Sequence, residues 1–218
     1  MKLLLTSGGL RNKTIIDALL SLTGRPFSEL NVAFIPTAAN VEAGDKDWLI
    51  DDLIRLTNLA FKSIDIVDIS AVPKDIWLSR LEVADIIFVE GGNTFHLMYW
   101  MEQSGLKDLL PGMLEKKVYV GVSAGSMVMC KSLDMSTSKK LYYEDAPQTQ
   151  KDEGMGLVDY LIRPHLNSEY FKQVTLENLE QYAKKFPDTF YALDDESAIK
   201  VVDGYSEVIS EGLWKKFN

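Results

Sequence analysis

The chain has 218 residues, 46% of them hydrophobic, which is enough for one sizeable core and points to a single domain spanning 1–218. Its 32 acidic and 23 basic residues leave a net charge of −9, with no long basic run to offset it, so nucleic acid and anionic membrane surfaces are poor partners. One cysteine, Cys130, excludes an internal disulfide, and no stretch approaches the roughly 20 apolar residues of a membrane span. The opening MKLLLTSGG carries too short an apolar run for a signal peptide, so a cytoplasmic protein is expected, as a monomer or a homodimer.

Short apolar runs alternate with longer amphipathic ones. Strands are predicted at Lys2–Thr6, Asn31–Thr37, Ser63–Ile69, Ala84–Glu90 and Val118–Val122, apolar almost throughout, as parallel strands buried on both faces must be. Helices are predicted at Lys13–Leu22, Asp47–Ala60, Lys74–Leu81, Thr94–Gln103 and Leu106–Glu115. This alternation predicts an α/β fold, a three-layer α/β/α sandwich on a mostly parallel sheet, with functional groups gathered at the carboxyl ends of the strands. Ser132–Gly156 is long and polar and reads as a mobile cover over the site. Glu169–Lys185 reads as a helix, and Thr189–Leu193, Ala198–Val202 and Glu207–Ser210 as short strands with a turn at Asp203-Gly204.

The sharpest chemical signal is Gly121-Val122-Ser123-Ala124-Gly125, a G-x-S-x-G string between a strand and a stretch, Ala124–Lys131, that can form a helix. That context exposes a serine hydroxyl on a tight turn and aims the following N–H groups at a developing oxyanion. A serine nucleophile needs a base, and the chain has two histidines. His96 lies inside a predicted helix, near the mouth of the site. His165 follows an apolar segment, Leu157–Ile162, and precedes a helix, which places it at a strand end, so it is the expected base. The orienting acid is sought in Asp194-Asp195-Glu196, just after a predicted strand. The order Ser, His, acid differs from the Ser, acid, His of the α/β-hydrolases. Gly91-Gly92-Asn93 opens a helix after a strand and offers a second oxyanion donor; Gly8-Gly9 reads as a structural turn. No clustered metal ligands, P-loop or dinucleotide fingerprint is present, so no cofactor is expected.

Taken together, GGNTF at 91–95, GVSAGS at 121–126, Pro164-His165 before a predicted helix and the late acidic cluster resemble the peptidase E family, the serine peptidase group of aspartyl dipeptidase and, more distantly, cyanophycinase. The resemblance covers nearly the whole chain. It implies a class I glutamine-amidotransferase-like fold, with Ser123 attacking the scissile carbonyl, His165 moving the proton, and an oxyanion hole of N–H groups from Gly92 (or Gly91) and Ala124. The family's acid is commonly a glutamate; its position falls here on Asp195, with Glu196 beside it. The family holds an aspartate side chain with an arginine beyond the histidine, but Asn167–Gln181 contains no arginine and Lys172 is its only cation. Asn93, Arg163 and Lys172 are therefore the candidate substrate contacts, and a broad preference among small peptides is expected. Two other readings fit the same residues: an esterase or amidase acting on a non-peptide substrate, and a non-catalytic binding protein of the same fold.

Overall fold

The computed structural model describes residues 1–145 and 151–218. Its main sheet is built from β1 (Lys2–Thr6), β2 (Asn31–Ile35), β3 (Ser63–Ile66), β4 (Ile86–Val89), β5 (Val118–Val122), β8 (Ser197–Val202) and β9 (Tyr205–Ser210), in the order β3-β2-β4-β5-β1-β8-β9. The first five pair in parallel, β8 runs antiparallel to β1, and β9 returns antiparallel to β8. The hairpin between β8 and β9 turns on Asp203 and Gly204, both at positive φ (49° and 87°), a two-residue turn matched to the twist of its strands.

Successive side chains of these strands enter opposite layers. Leu3, Leu5, Ile87, Val89 and Tyr119 join one core with α2 (Thr37–Asn40), α4 (Lys74–Val83), α5 (Thr94–Ser104) and α6 (Leu106–Met113). Leu4, Phe34, Phe88 and Val120 join the other with α1 (Lys13–Thr23) and α3 (Asp47–Asn58). The fold is thus the expected α/β/α sandwich. Among the described residues, no helix is long and apolar enough to cross a membrane.

A second, three-stranded sheet contains β6 (Leu161–Arg163), β7 (Phe190–Leu193) and β10 (Trp214–Phe217), in the order β10-β7-β6. β6 and β7 are parallel, with Arg163 opposite Ala192, so the residues following each strand emerge side by side. Those residues are Pro164-His165 and Asp194-Asp195. From Asp195 the chain enters β8, which lies against β1, which lies against β5. Three distant stretches of sequence therefore converge at one end of the sheet.

Several elements depart from the sequence expectations. α7 covers only Ala124–Met127, because the chain then bends to let Cys130 bridge Val158. The helix expected from Glu169 begins only at Leu176, as α9 (Leu176–Ala183). The residues before it are held in turns, with Asn167 at φ 60° and its N–H bonded to the Val174 carbonyl at 2.7 Å. This arrangement brings Phe171 face to face with the His165 ring, centroids 4.8 Å apart. β10 lies beyond the predicted strands, and its WKKF sequence lacks the apolar alternation of a half-buried strand.

The described part of Ser132–Gly156 carries a helix of its own and internal hydrogen bonds. It contains α8 (Met135–Tyr142), and Asp152 accepts from the Ser132 hydroxyl (2.8 Å) and the Met135 and Leu133 N–H groups (2.6 and 2.7 Å). Residues 146–150 of that segment lie outside the described residues.

Candidate active site

Ser123 follows the last residue of β5 at φ 47°, ψ −107°, a conformation that non-glycine residues rarely adopt. Its neighbours hold it there. A side chain on Gly121 would press on the Gly125 backbone at 2.6 Å, and one on Gly125 would overlap the Val89 carbonyl. The Tyr119 hydroxyl donates to the Gly125 carbonyl (2.6 Å), and the Ser126 hydroxyl contacts the carbonyls of Thr6 (2.8 Å) and Gly121 (2.9 Å). The N–H groups of Ser126 and Met127 both return to the Ser123 carbonyl at 2.9 Å, closing the turn.

His165 also takes a left-handed conformation, φ 63°, one residue after Pro164. Its Nε2 lies 2.8 Å from Ser123 Oγ and its Nδ1 lies 2.7 Å from Asp195 Oδ1. An ionised carboxylate only accepts, so Nδ1 carries the proton and Nε2 is left to accept from the serine hydroxyl. Burial by itself would raise the Asp195 pKa, but the hydrogen bond and charge of His165, the Arg11 guanidinium and the Ser7 hydroxyl outweigh it and bring the carboxyl down to about 2. Arg11 Nη1 stands 3.8 Å from Asp195 Oδ2.

The acidic cluster divides its work. Asp194 accepts from the Ser197 hydroxyl (2.6 Å) and the Glu196 N–H (3.1 Å) and from the Leu213 N–H, so it holds the turn between β7 and β8. Glu196 Oε2 accepts from the Asn12 side-chain amide at 2.9 Å. Only Asp195 reaches the histidine, and Glu196, the alternative acid, points instead at the cap of α1.

The Gly91-Gly92 turn adjoins the serine: a Cβ on Gly91 would stand 3.3 Å from Ser123 Cβ. Gly92 needs to be glycine twice over, since its φ is 125° and a Cβ would overlap the Ala38 carbonyl. The Gly91 N–H is already taken by Glu90 Oε1 at 2.9 Å. Gly92 and Ala124 carry the N–H groups with no acceptor among the described residues. Asn93 caps α5: Oδ1 accepts from the His96 N–H (2.9 Å) and Nδ2 donates to the Asp145 carbonyl (3.0 Å), so both ends of this expected substrate contact are occupied. His96 packs edge-on against Trp100, centroids 6.4 Å apart, and it is His165 that contacts Ser123 Oγ.

Arg163 corrects a sequence expectation. Strand alternation would place it on the same face as His165, but β6 ends at Arg163 and the positive φ of His165 re-aims the histidine. Arg163 is 1% exposed, and its guanidinium contacts Asp134, the Ser138 hydroxyl (3.0 Å) and the Tyr182 hydroxyl (3.2 Å). It is a core anchor that ties α8 to β6. Arg163→Met is therefore expected to lower stability by about 3–5 kcal/mol, since it strands the Asp134 charge, and to leave substrate choice unchanged; chemical denaturation and a peptide panel check this. Lys172 is exposed, next to the Phe171 ring that covers His165.

Behind the glycine turn lies a second acidic feature. Glu90 is completely buried; burial first, then the nearby Asp52 charge, raise its pKa well above the ordinary carboxyl value. Asp52, buried on α3, is raised too, by burial against the pull of Arg55 at 2.7 Å and of Arg11. A carboxyl whose folded pKa exceeds its unfolded one contributes fully at low pH and loses that contribution as pH rises through the folded value. Glu90→Gln cannot ionise and keeps an acceptor for the Gly91 N–H. Its thermal midpoint should gain on the wild type as pH rises above the ordinary carboxyl range.

A strained serine at the end of a parallel strand, hydrogen-bonded to a histidine that is hydrogen-bonded to an aspartate, marks a serine-type hydrolase on an α/β/α sandwich. The chain belongs to Peptidase family S51, whose profile it matches over residues 3–209, and so is a serine-type peptidase. It is 30% identical over 192 residues to an uncharacterized peptidase of Listeria innocua, with 83% of each chain covered. It is 26% identical over 188 residues to one of Pasteurella multocida, covering 86% of this chain and 88% of the other. A Nostoc protein named Peptidase E is 27% identical over 132 residues, 58% of this chain and 52% of that one. The fold matches a crystal structure from Listeria monocytogenes EGD-e, described as a candidate peptidase E protein, with a TM-score of 0.81 at 23% identity, covering 97% of this chain and 98% of the other.

Proposed function

We propose that Ser123, His165 and Asp195 are the catalytic triad of a peptidase that cleaves short peptides through an acyl-enzyme. The observation that carries this reading is the unbroken hydrogen-bond path from Ser123 Oγ to His165 Nε2 (2.8 Å) and from His165 Nδ1 to Asp195 Oδ1 (2.7 Å). Ser123 Oγ attacks the scissile carbonyl as His165 Nε2 takes its proton. The carbonyl oxygen becomes an oxyanion facing the N–H groups of Gly92 and Ala124. The imidazolium, steadied by ionised Asp195, gives the proton to the departing amine. Water, deprotonated by the same Nε2, then releases the acyl group.

The preference for short substrates is supported by the walls of the site. The Tyr142 hydroxyl bonds the Pro164 carbonyl (3.2 Å) beside the base, and three residues on, the Asp145 carbonyl accepts from Asn93 beside the glycine turn (3.0 Å). The short chain between them, residues 143 and 144, is thus held at both ends, beside His165 and beside the glycine turn. With Arg163 buried, Lys172 is the remaining candidate of the two for meeting an acidic side chain, and as a single flexible ammonium it gives at most a modest acidic bias. Digestion of a peptide library, with sequencing of the products, tests the reading. Release of residues from di- and tripeptides with weak dependence on side chain is the expected result. Hydrolysis of short-chain esters alone, or cleavage confined to long peptides, would overturn it.

A further inference from the structure

We propose that Ser7 is the positioning residue of the triad, an inference that rests on the triad reading above. Ser7 lies immediately after β1, the strand between β5, which leads to Ser123, and β8, which follows Asp195. It is completely buried. Its Oγ accepts from the backbone N–H of His165 at 2.7 Å and contacts Asp195 Oδ1 at 3.0 Å. A serine hydroxyl has one proton, and the carboxylate can only accept, so that proton points at Oδ1.

The result is a closed ring of hydrogen bonds. It runs from the His165 N–H to Ser7 Oγ, from the Ser7 hydroxyl to Asp195 Oδ1, and from His165 Nδ1 to the same Oδ1 at 2.7 Å. It begins and ends on one histidine, so it fixes the imidazole relative to its own backbone. That backbone sits in a sparsely populated conformation and needs holding. Ser7 is itself fixed: its N–H bonds the Ser197 carbonyl at 3.1 Å, at the start of β8. The preceding residue completes the arrangement, since the Thr6 carbonyl accepts the Ser123 N–H at 3.0 Å. Thr6 and Ser7 together thus touch all three members of the proposed triad.

Among the described residues the Ser7 hydroxyl bonds Asp195 and the His165 N–H and not Ser123 Oγ, so it acts through its neighbours. Losing its hydroxyl removes one of the two hydrogen bonds at Oδ1 and leaves a buried N–H unsatisfied. The ring then pivots more freely, and a carboxylate with one donor fewer holds an imidazolium more tightly. Two effects follow. The chemical step slows because fewer molecules are correctly aligned, and the acid limb of the pH profile moves upward because the protonated base is favoured.

The probe is a fluorophosphonate, which reports the nucleophilicity of Ser123 without a known substrate. Labelling rates of the full chain are measured against probe concentration and pH for the wild type, Ser7→Ala, Ser7→Cys and Ser7→Thr, with Ser123→Ala as the blank. Cysteine keeps the shape but is a poor hydrogen-bonding group; threonine keeps the hydroxyl. Ser7→Ala and Ser7→Cys should slow the limiting rate by roughly 10- to 100-fold with half-saturation within about twofold, and should raise the pH of the acid limb. Ser7→Thr should recover most of the rate. Wild-type rate and pH profile in Ser7→Cys would overturn the proposal. So would a loss in Ser7→Ala that only tracks a lower thermal midpoint, with Ser7→Cys unaffected. If the wild type labels no better than Ser123→Ala, the triad reading falls first, and the proposal with it.

Discussion

Ser123→Ala is expected to reduce peptide hydrolysis by about a million-fold, because members of a nucleophile–base pair act as a unit and what survives comes from binding and the oxyanion donors. His165→Ala should cost nearly as much, and the double variant no more than either single one. The structure supplies a control that separates this loss from misfolding. Ser123 holds its hydroxyl toward His165 at φ 47°, a strain of roughly 1–3 kcal/mol for a residue with a Cβ. Glycine relaxes there. Ser123→Gly should therefore be as inactive as Ser123→Ala, yet unfold at a higher temperature than the wild type. Calorimetry beside a peptide-hydrolysis assay checks both halves. An inactive Ser123→Gly that is also less stable would mean the turn is not strained. Residual activity above about one part in a thousand in Ser123→Ala would remove Ser123 as the nucleophile.

How much of this could be read from the chain alone depended on how local each signal was. The elbow is legible because its glycines, its strand and its serine lie within a few residues of one another. His165 was reachable by elimination, since only two histidines compete. The acids at 194–196 are legible together at a strand end, the family resemblance points among them to Asp195, and the hydrogen bonds show Asp195 as the one of the three that meets His165. The place of Arg163 is not legible because its buried partners Ser138, Asp134 and Tyr182 lie 25, 29 and 19 residues away along the chain. The false start of the helix at 169 has a related cause. The stretch from Glu169 has helix-forming composition, but tertiary packing of Phe171 on the imidazole holds the chain in turns. Ser7 was the least legible. Its partner Asp195 lies 188 residues away, and the contact exists only because β8 returns antiparallel beside β1. A hydroxyl directly after a buried strand and before Gly8-Gly9 was the one available hint.

Asp195→Asn is expected to lower the turnover rate by roughly four orders of magnitude while leaving the fold intact. An amide in that place can offer N–H to Nδ1, which moves the ring proton to Nε2 and turns the base's lone pair away from Ser123. Ser7 and Arg11 would face a neutral group, so the electrostatic support of the imidazolium is lost as well. The neighbouring acids provide the contrast. Glu196→Gln keeps an acceptor for the Asn12 amide and should stay within a few-fold of wild-type activity. Asp194→Ala should lower stability more than rate, since it leaves the Ser197 hydroxyl and the Leu213 N–H without their acceptor. The pH dependence separates Asp195 from the rest. Its folded pKa, about 2, is depressed below the unfolded 3.8, so its contribution to stability is complete above about pH 4 and is lost as pH falls through 2. The stability difference between wild type and Asp195→Asn should therefore shrink as pH falls from 4 to 2. If Asp194, Asp195 and Glu196 variants all lose activity mildly and equally, the cluster is a solvated turn, and His165 must be oriented through Ser7 and its own backbone alone.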